Sequence, residues 1–337
     1  MKYEFEVLKL GDADAVFIGH YDKDNKRHII LIDAGNPSDG KTVKEHLIKY
    51  YGTKTIDLAI CTHPDVDHKG GFFYLFNDEE IMIKEFWLTD PSIYIKDEDI
   101  SSGGGMNPKR KVRDIWENPD DSKENLIDLI ISNCDKRVSV ISGCKHPSFP
   151  ITIVAPTEKY YKEVAKQMIE EYGVKTYRKS YTGKYDDAAK VSDEDAKSVI
   201  DKEGDDPSPY NASSLVVLYQ PDENTKILIA GDANRASLTQ MLKDYPELKK
   251  GVSKFKVPHH GSKHNLTTVI MDNIKPERSY ISAAGNEKHP NTSIVYWLSK
   301  TGDVYSTHKC SGYIRCHPGV PTREGDKSLD PLKKKQE

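Results

Sequence analysis

Short apolar runs punctuate the chain at strand-like lengths, and segments of helical period lie between them. Tyr3–Leu8, Ala13–Ile18, His28–Ile32 and Ile56–Cys61 read as strands, while Thr42–Tyr50 and Lys69–Phe76 read as helices. The alternation returns late in the chain. Strands are expected at Ser214–Tyr219, Lys226–Ala230, Lys254–Val257 and Arg278–Ser282, with helices at Ala236–Asp244, Leu266–Ile274 and Asn291–Ser299. Sheets built this way bury their faces under helices, so the pattern predicts an α/β fold of two similar halves. No repeat at solenoid spacing is present.

Two polar stretches interrupt the pattern. The first, about 90–121, carries Ser101-Ser102-Gly103-Gly104-Gly105 and then Lys109-Arg110-Lys111 and Arg113. It reads as charged surface, with contact to phosphates as the alternative. The second, about 175–209, is rich in Asp, Glu, Lys and Ser and reads as a solvated or mobile insertion. Trp87, Trp116 and Trp297 are expected in the core or at an interface. One domain is expected over 1–320, followed by a polar tail over 321–337 that frays over 330–337.

Composition narrows the classes. A net charge of −4 with 36% hydrophobic and 30% charged residues gives no overall basic character, so a polyanion partner would have to meet a local patch. No stretch reaches the roughly 20 apolar residues of a membrane span, and the amino end enters a strand pattern without a signal-peptide core. The five cysteines, Cys61, Cys134, Cys144, Cys310 and Cys316, form no regular framework and suit reduced thiols. These features predict a cytoplasmic protein without a membrane partner; the oligomeric state is left open. His308, Cys310, Cys316 and His317 miss the usual Cys-x₂-Cys spacing and read as a glycine-centred hairpin. Gly103-Gly104-Gly105 lacks the Gly-Lys-Ser/Thr of a phosphate loop.

The chemistry concentrates in Thr62-His63-Pro64-Asp65-Val66-Asp67-His68-Lys69-Gly70-Gly71, directly after an apolar strand. Side chains on a strand-to-helix turn converge on the crevice where α/β sheets place ligands. Four donors this close, two of them carboxylates, repel one another and suffer desolvation unless a cation neutralises them. A divalent metal site follows. One turn cannot close two coordination spheres, and further donors stand at later strand ends: Asp232 after Lys226–Ala230, His259-His260 after Lys254–Val257, and His289 after Arg278–Ser282.

This ordered set resembles the metallo-β-lactamase-fold hydrolases. Within them it is similar to the soluble domain of ComEC-type DNA-uptake proteins and to phosphorylcholine-esterase-like phosphodiesterases. The matching residues run from Gly11-Asp12-Ala13-Asp14-Ala15 and Leu31-Ile32-Asp33-Ala34-Gly35 through the 62–71 signature to Asn211-Ala212-Ser213-Ser214, Gly231-Asp232, His259-His260-Gly261-Ser262 and His289-Pro290. The resemblance implies an αββα sandwich with polar insertions and two divalent ions, Zn²⁺ or Mn²⁺. One ion would take His63, Asp65 and a bridging Asp232; the other would take Asp67, His68, Asp232 and His289. Asn211 would complete the first sphere or orient a ligand, and Asp33 would support the ligand loop. His259 and His260 would face the substrate, with Asp67 beside a bridging hydroxide. The implied function is phosphodiester hydrolysis, with DNA or a nucleotide as substrate. A small-molecule ester, lactone or thioester hydrolase of the same fold is the alternative, as is a weakly active binding or regulatory module of a multi-protein system.

Overall fold

Among the described residues, thirteen strands and the helices between them build two sheets that pack face to face. The computed structural model describes residues 2–96, 114–121, 123–171, 183–186, 190–324, 326 and 329–335. The strands are β1 (Tyr3–Leu8), β2 (Val16–Tyr21), β3 (Arg27–Ile32), β4 (Thr55–Ile60), β5 (Met82–Leu88), β6 (Lys136–Ser139), β7 (Ile151–Ala155), β8 (Val216–Asp222), β9 (Thr225–Ile229), β10 (Lys254–Lys256), β11 (Arg278–Ile281), β12 (Asp303–Ser306) and β13 (Tyr313–Cys316). The longer helices are α1 (Gly40–His46), α2 (Val66–Asn77), α3 (Leu126–Asn133), α4 (Glu158–Glu171), α5 (Asp193–Lys202), α6 (Arg235–Asp244), α7 (Thr268–Ile274) and α8 (Thr292–Leu298).

One sheet runs β13-β1-β2-β3-β4-β5-β6 and the other β12-β11-β10-β9-β8-β7. In each, antiparallel strands pass into a parallel set: β3 to β6 in the first, β9 to β12 in the second. Parallel strands bring their carboxyl ends to one edge, so both sheets deliver loops to a common crevice. Three buried clusters follow the αββα order. Phe5, Ile18, Ile60, Trp87, Tyr219 and Ile229 fill the space between the sheets. Phe17, Phe72, Phe86 and Tyr161 pack helices on one outer face, and Phe255, Met241, Met271 and Trp297 on the other. The three tryptophans are buried, as expected.

The basic run at Lys109–Arg113 and the glycines at 103–105 lie outside the described residues. The later polar stretch is partly built into the fold: α5 buries Ala196 and Ile200 against the second sheet's helices. In the following tail, Lys333 and Val304 exchange backbone hydrogen bonds. Arg315 and Arg323 reach Glu4 and Glu6 of β1, anchoring the segment that follows β13. No helix among the described residues is long and apolar enough to cross a membrane.

Candidate metal centre

At the carboxyl ends of β3 and β4 the chain turns twice into a shared hydrogen-bond frame. Asp33 adopts a left-handed backbone (φ 58°) and aims its carboxylate at the 62–68 turn. Its Oδ1 accepts from Thr62 N at 2.7 Å, and its Oδ2 accepts from Thr62 Oγ1 and His68 Nδ1, both at 2.8 Å. His63 Nδ1 lies 3.1 Å from the same Thr62 hydroxyl. With each Nδ1 tied back in this way, both rings present Nε2 outward, and both Nε2 atoms are buried without a protein hydrogen-bond partner. Gly71 lets α2 approach this frame, since a Cβ there would stand 1.9 Å from Ala34 O.

The later strand ends complete the pocket. Asp232, after β9, is fixed through Ser214 Oγ and the His259 amide, and its Oδ1 lies 3.4 Å from His68 Nε2. After β10, His259 and His260 both take left-handed backbone, at φ 46° and 54°. His260 Nδ1 donates to Ser282 O at 2.9 Å, leaving Nε2 3.4 Å from Asp67 Oδ2. His259 Nδ1 lies 2.7 Å from Asp206 Oδ2, with Nε2 4.0 Å from Asp232 Oδ2. Ligating histidines hold their second nitrogen in this manner, which fixes tautomer and ring orientation.

Three groups of buried donors have ligand atoms within 4.8 Å of one another: His63, His68 and Asp232; Asp67, His68 and His260; Asp14, Asp33 and His68. Burial opposes the charge on Asp232, yet attraction to His68 and His259 holds its carboxyl well below the usual range. Burial likewise opposes charge on His68, but Asp232 and Asp33 carry it well above the ordinary imidazole value. Mutual attraction of this kind, together with unbonded Nε2 atoms, suits a divalent cation.

The other predicted site residues fall as follows. Asp65 Oδ2 stands 3.7 Å from His63 Nε2 and is the most open of the early donors. His289 joins none of the three groups; its ring lies 5.4 Å from that of His259 and 5.6 Å from that of His260, with Nδ1 3.8 Å from Asp12 Oδ2. Burial pushes His289 down to about 4. His260 therefore stands beside Asp67 and His68, the position for which His289 was expected. Asn211 sits next to His259, donating to Asp206 Oδ2 at 2.8 Å, while its Oδ1 is buried and unpartnered. Asp14, Asp12 and Asp206 were not singled out as site residues. Asp12 and Asp14 lie in the Gly11–Ala15 run that carried the resemblance, but Asp206 follows no motif.

Residues 9–130 match the model of the Metallo-beta-lactamase superfamily. The match covers less than half of the chain, and the two packed sheets with helices on both outer faces form the αββα sandwich that the resemblance implied. This match supports a metal-dependent hydrolase with divalent ions at the centre described above. ComE operon protein 3 of Bacillus subtilis (strain 168) is 29% identical over 104 residues, which cover 30% of this chain and 13% of that protein. Among solved structures, the CmlA beta-hydroxylase E377D mutant aligns with 93% of this chain and 54% of its own, at 13% identity and a TM-score of 0.47. Igni18, a metallo hydrolase from the archaeon Ignicoccus hospitalis KIN4/I, aligns over 93% of this chain and 98% of its own, at 12% identity and a TM-score of 0.45.

Proposed function

We propose that this metallo-beta-lactamase-fold protein is a phosphodiesterase that works with two divalent ions, Zn²⁺ or Mn²⁺, and takes DNA or a nucleotide as substrate. His63, Asp65 and Asp232 would hold one ion, and Asp67, His68, Asp232 and His260 the other. Ions so held polarise a phosphoryl oxygen and acidify water.

The protein's own part is positioning. Asp33 and Thr62 lock two ring orientations, and Asp67, inside the first turn of α2, stays within 3.4 Å of His260. The carrying observation is the His259-His260 turn. Two consecutive non-glycine residues in left-handed backbone cost on the order of 1–3 kcal/mol each and persist where the surroundings over-determine them. Here the turn sends His260 to Asp67 and leaves the His259 ring beside it, with Nε2 4.0 Å from Asp232 Oδ2, an arrangement suited to an oxygen of a tetrahedral anion. An uncharged ester would draw less from it.

The test is hydrolysis of bis(p-nitrophenyl) phosphate, cyclic dinucleotides and DNA with added Mn²⁺ or Zn²⁺. Turnover is expected with at least one of these, and Asp67→Ala or His68→Ala should lower it by about 100-fold or more. Undiminished turnover in either variant contradicts the assignment. A substrate range confined to carboxylic esters or lactones would favour the small-molecule reading.

A further inference from the structure

Two described pieces of the polar segment, 183–186 and 190–209, reach the centre from two sides. At one described piece, Tyr185 N donates to Gly285 O at 3.0 Å and Lys184 pairs with Asn286, on the loop that leads to His289. At the other, Arg235 clamps the end of α5 by donating to Ile200 O at 2.8 Å and to Glu203 O and Lys263 O, both at 2.6 Å. Asp206 follows this clamp and is buried.

Its carboxylate is immobilised. Oδ1 accepts from Ser208 N at 3.0 Å, and Oδ2 accepts from Asn211 Nδ2 at 2.8 Å and Asn265 Nδ2 at 3.2 Å. The remaining contact is His259 Nδ1 at 2.7 Å, with Asn265 Oδ1 3.1 Å from the same nitrogen. A ring held by a carboxylate that is itself fixed by several donors has one orientation. That orientation turns Nε2 toward the cleft. The His259 side chain is 21% exposed, against 0% for His63 and His68 and 2% for His260. It also belongs to none of the clustered donor groups among the described residues. His259 thus faces the space a substrate would enter, while the other three rings belong to the clustered donor groups.

We infer that Asp206 is a positioning residue: it holds the His259 ring through Nδ1–H so that Nε2 meets an oxygen of the scissile phosphodiester. Asp206, in the described end of the inserted segment, is thereby a part of the active site. This rests on the phosphodiesterase reading above.

Full-length protein carrying Asp206→Asn, Asp206→Ala or Asp206→Glu tests it on bis(p-nitrophenyl) phosphate with the metal that supports the highest wild-type rate. Asn and Ala should lower kcat by about 10–100-fold with KM changed little and bound metal unchanged, and Glu should recover part of the loss. A second readout is independent of turnover: ¹⁵N spectra of the His259 ring in metal-free protein should show a single Nδ1–H form that Asp206→Asn and Asp206→Ala convert to a mixture. Wild-type kcat in the Asn and Ala variants, or an unaltered ring spectrum, overturns the inference. Loss of metal in those variants also overturns it, because His259 would then be a ligand. A wild-type protein inactive on every phosphodiester defeats the functional reading instead, and is told apart because the Asp206-dependent ring spectrum would persist.

Discussion

Four imidazoles at the centre, those of His63, His68, His259 and His260, share one arrangement: Nδ1 is tied to protein oxygen and Nε2 is left toward the acidic groups. The 62–68 donors were legible because they fall on one turn after an apolar strand. Asp206 was not, because nothing in a polar run marks which carboxylate the fold will bury. The choice between His260 and His289 was equally hidden, since both follow strand ends and only the left-handed turn at 259–260 decides which ring meets Asp67. Beneath this layer Lys256, fully buried, pairs with Asp14, whose Oδ1 is 3.7 Å from His260 Nδ1. Breaking a buried pair leaves an uncompensated charge, so Lys256→Met is expected to destabilise the protein by about 3–5 kcal/mol in denaturant unfolding. A loss below about 1 kcal/mol would show that the pair contributes little. Away from the centre, burial pushes His20, which meets the Tyr219 hydroxyl at 3.0 Å, down to about 4. The unfolded chain takes up that proton at about 6.5, so between these values the unfolded state binds more protons and stability falls with acid. Melting temperatures of His20→Gln should fall less steeply than wild type from pH 6.5 to 4; parallel curves would remove His20 as a cause.

At the scale of elements, short apolar runs announced β1, β3, β4, β8, β9, β10 and β11 to within a few residues. The helix expected from Lys69 begins earlier, at Val66, so that Asp67 and His68 lie in its first turn. α4 carries a readable helical spacing at Tyr161, Val164, Ala165, Met168 and Ile169, all buried, yet no element was assigned there. α5 was illegible for a physical reason: it buries only Ala196 and Ile200 and docks through polar contacts. Asp201 accepts from Thr268 N at 3.0 Å and from Thr268 Oγ1 at 2.7 Å, interactions that hydropathy does not register. The glycines of α2 make the opposite case, where sequence pointed at close approach and the fold supplies it. Gly71→Ala is expected to cost about 1–3 kcal/mol by forcing α2 away from Ala34, and to weaken metal binding with it. Thermal melts and elemental analysis of that variant check both effects; unchanged values would mean that the helix can shift without disturbing His68.

Across the whole molecule, the carboxyl ends of two parallel strand sets face one crevice, and donors separated by about two hundred residues of chain come together there. The alternation of strands and helices foretold two similar halves, but not which loops would meet; that depends on sheet order, which places β4 centrally in one sheet and β9 and β10 centrally in the other. Asp232 stands at this junction, with His68 and His259 on either side of its carboxylate. Elemental analysis of purified protein after incubation with Mn²⁺ or Zn²⁺ and removal of free ions, wild type beside Asp232→Ala, tests the centre most directly. The account predicts about two ions per wild-type chain and loss of at least one in the variant. Metal-free wild type, or a variant that retains the full complement, would contradict it.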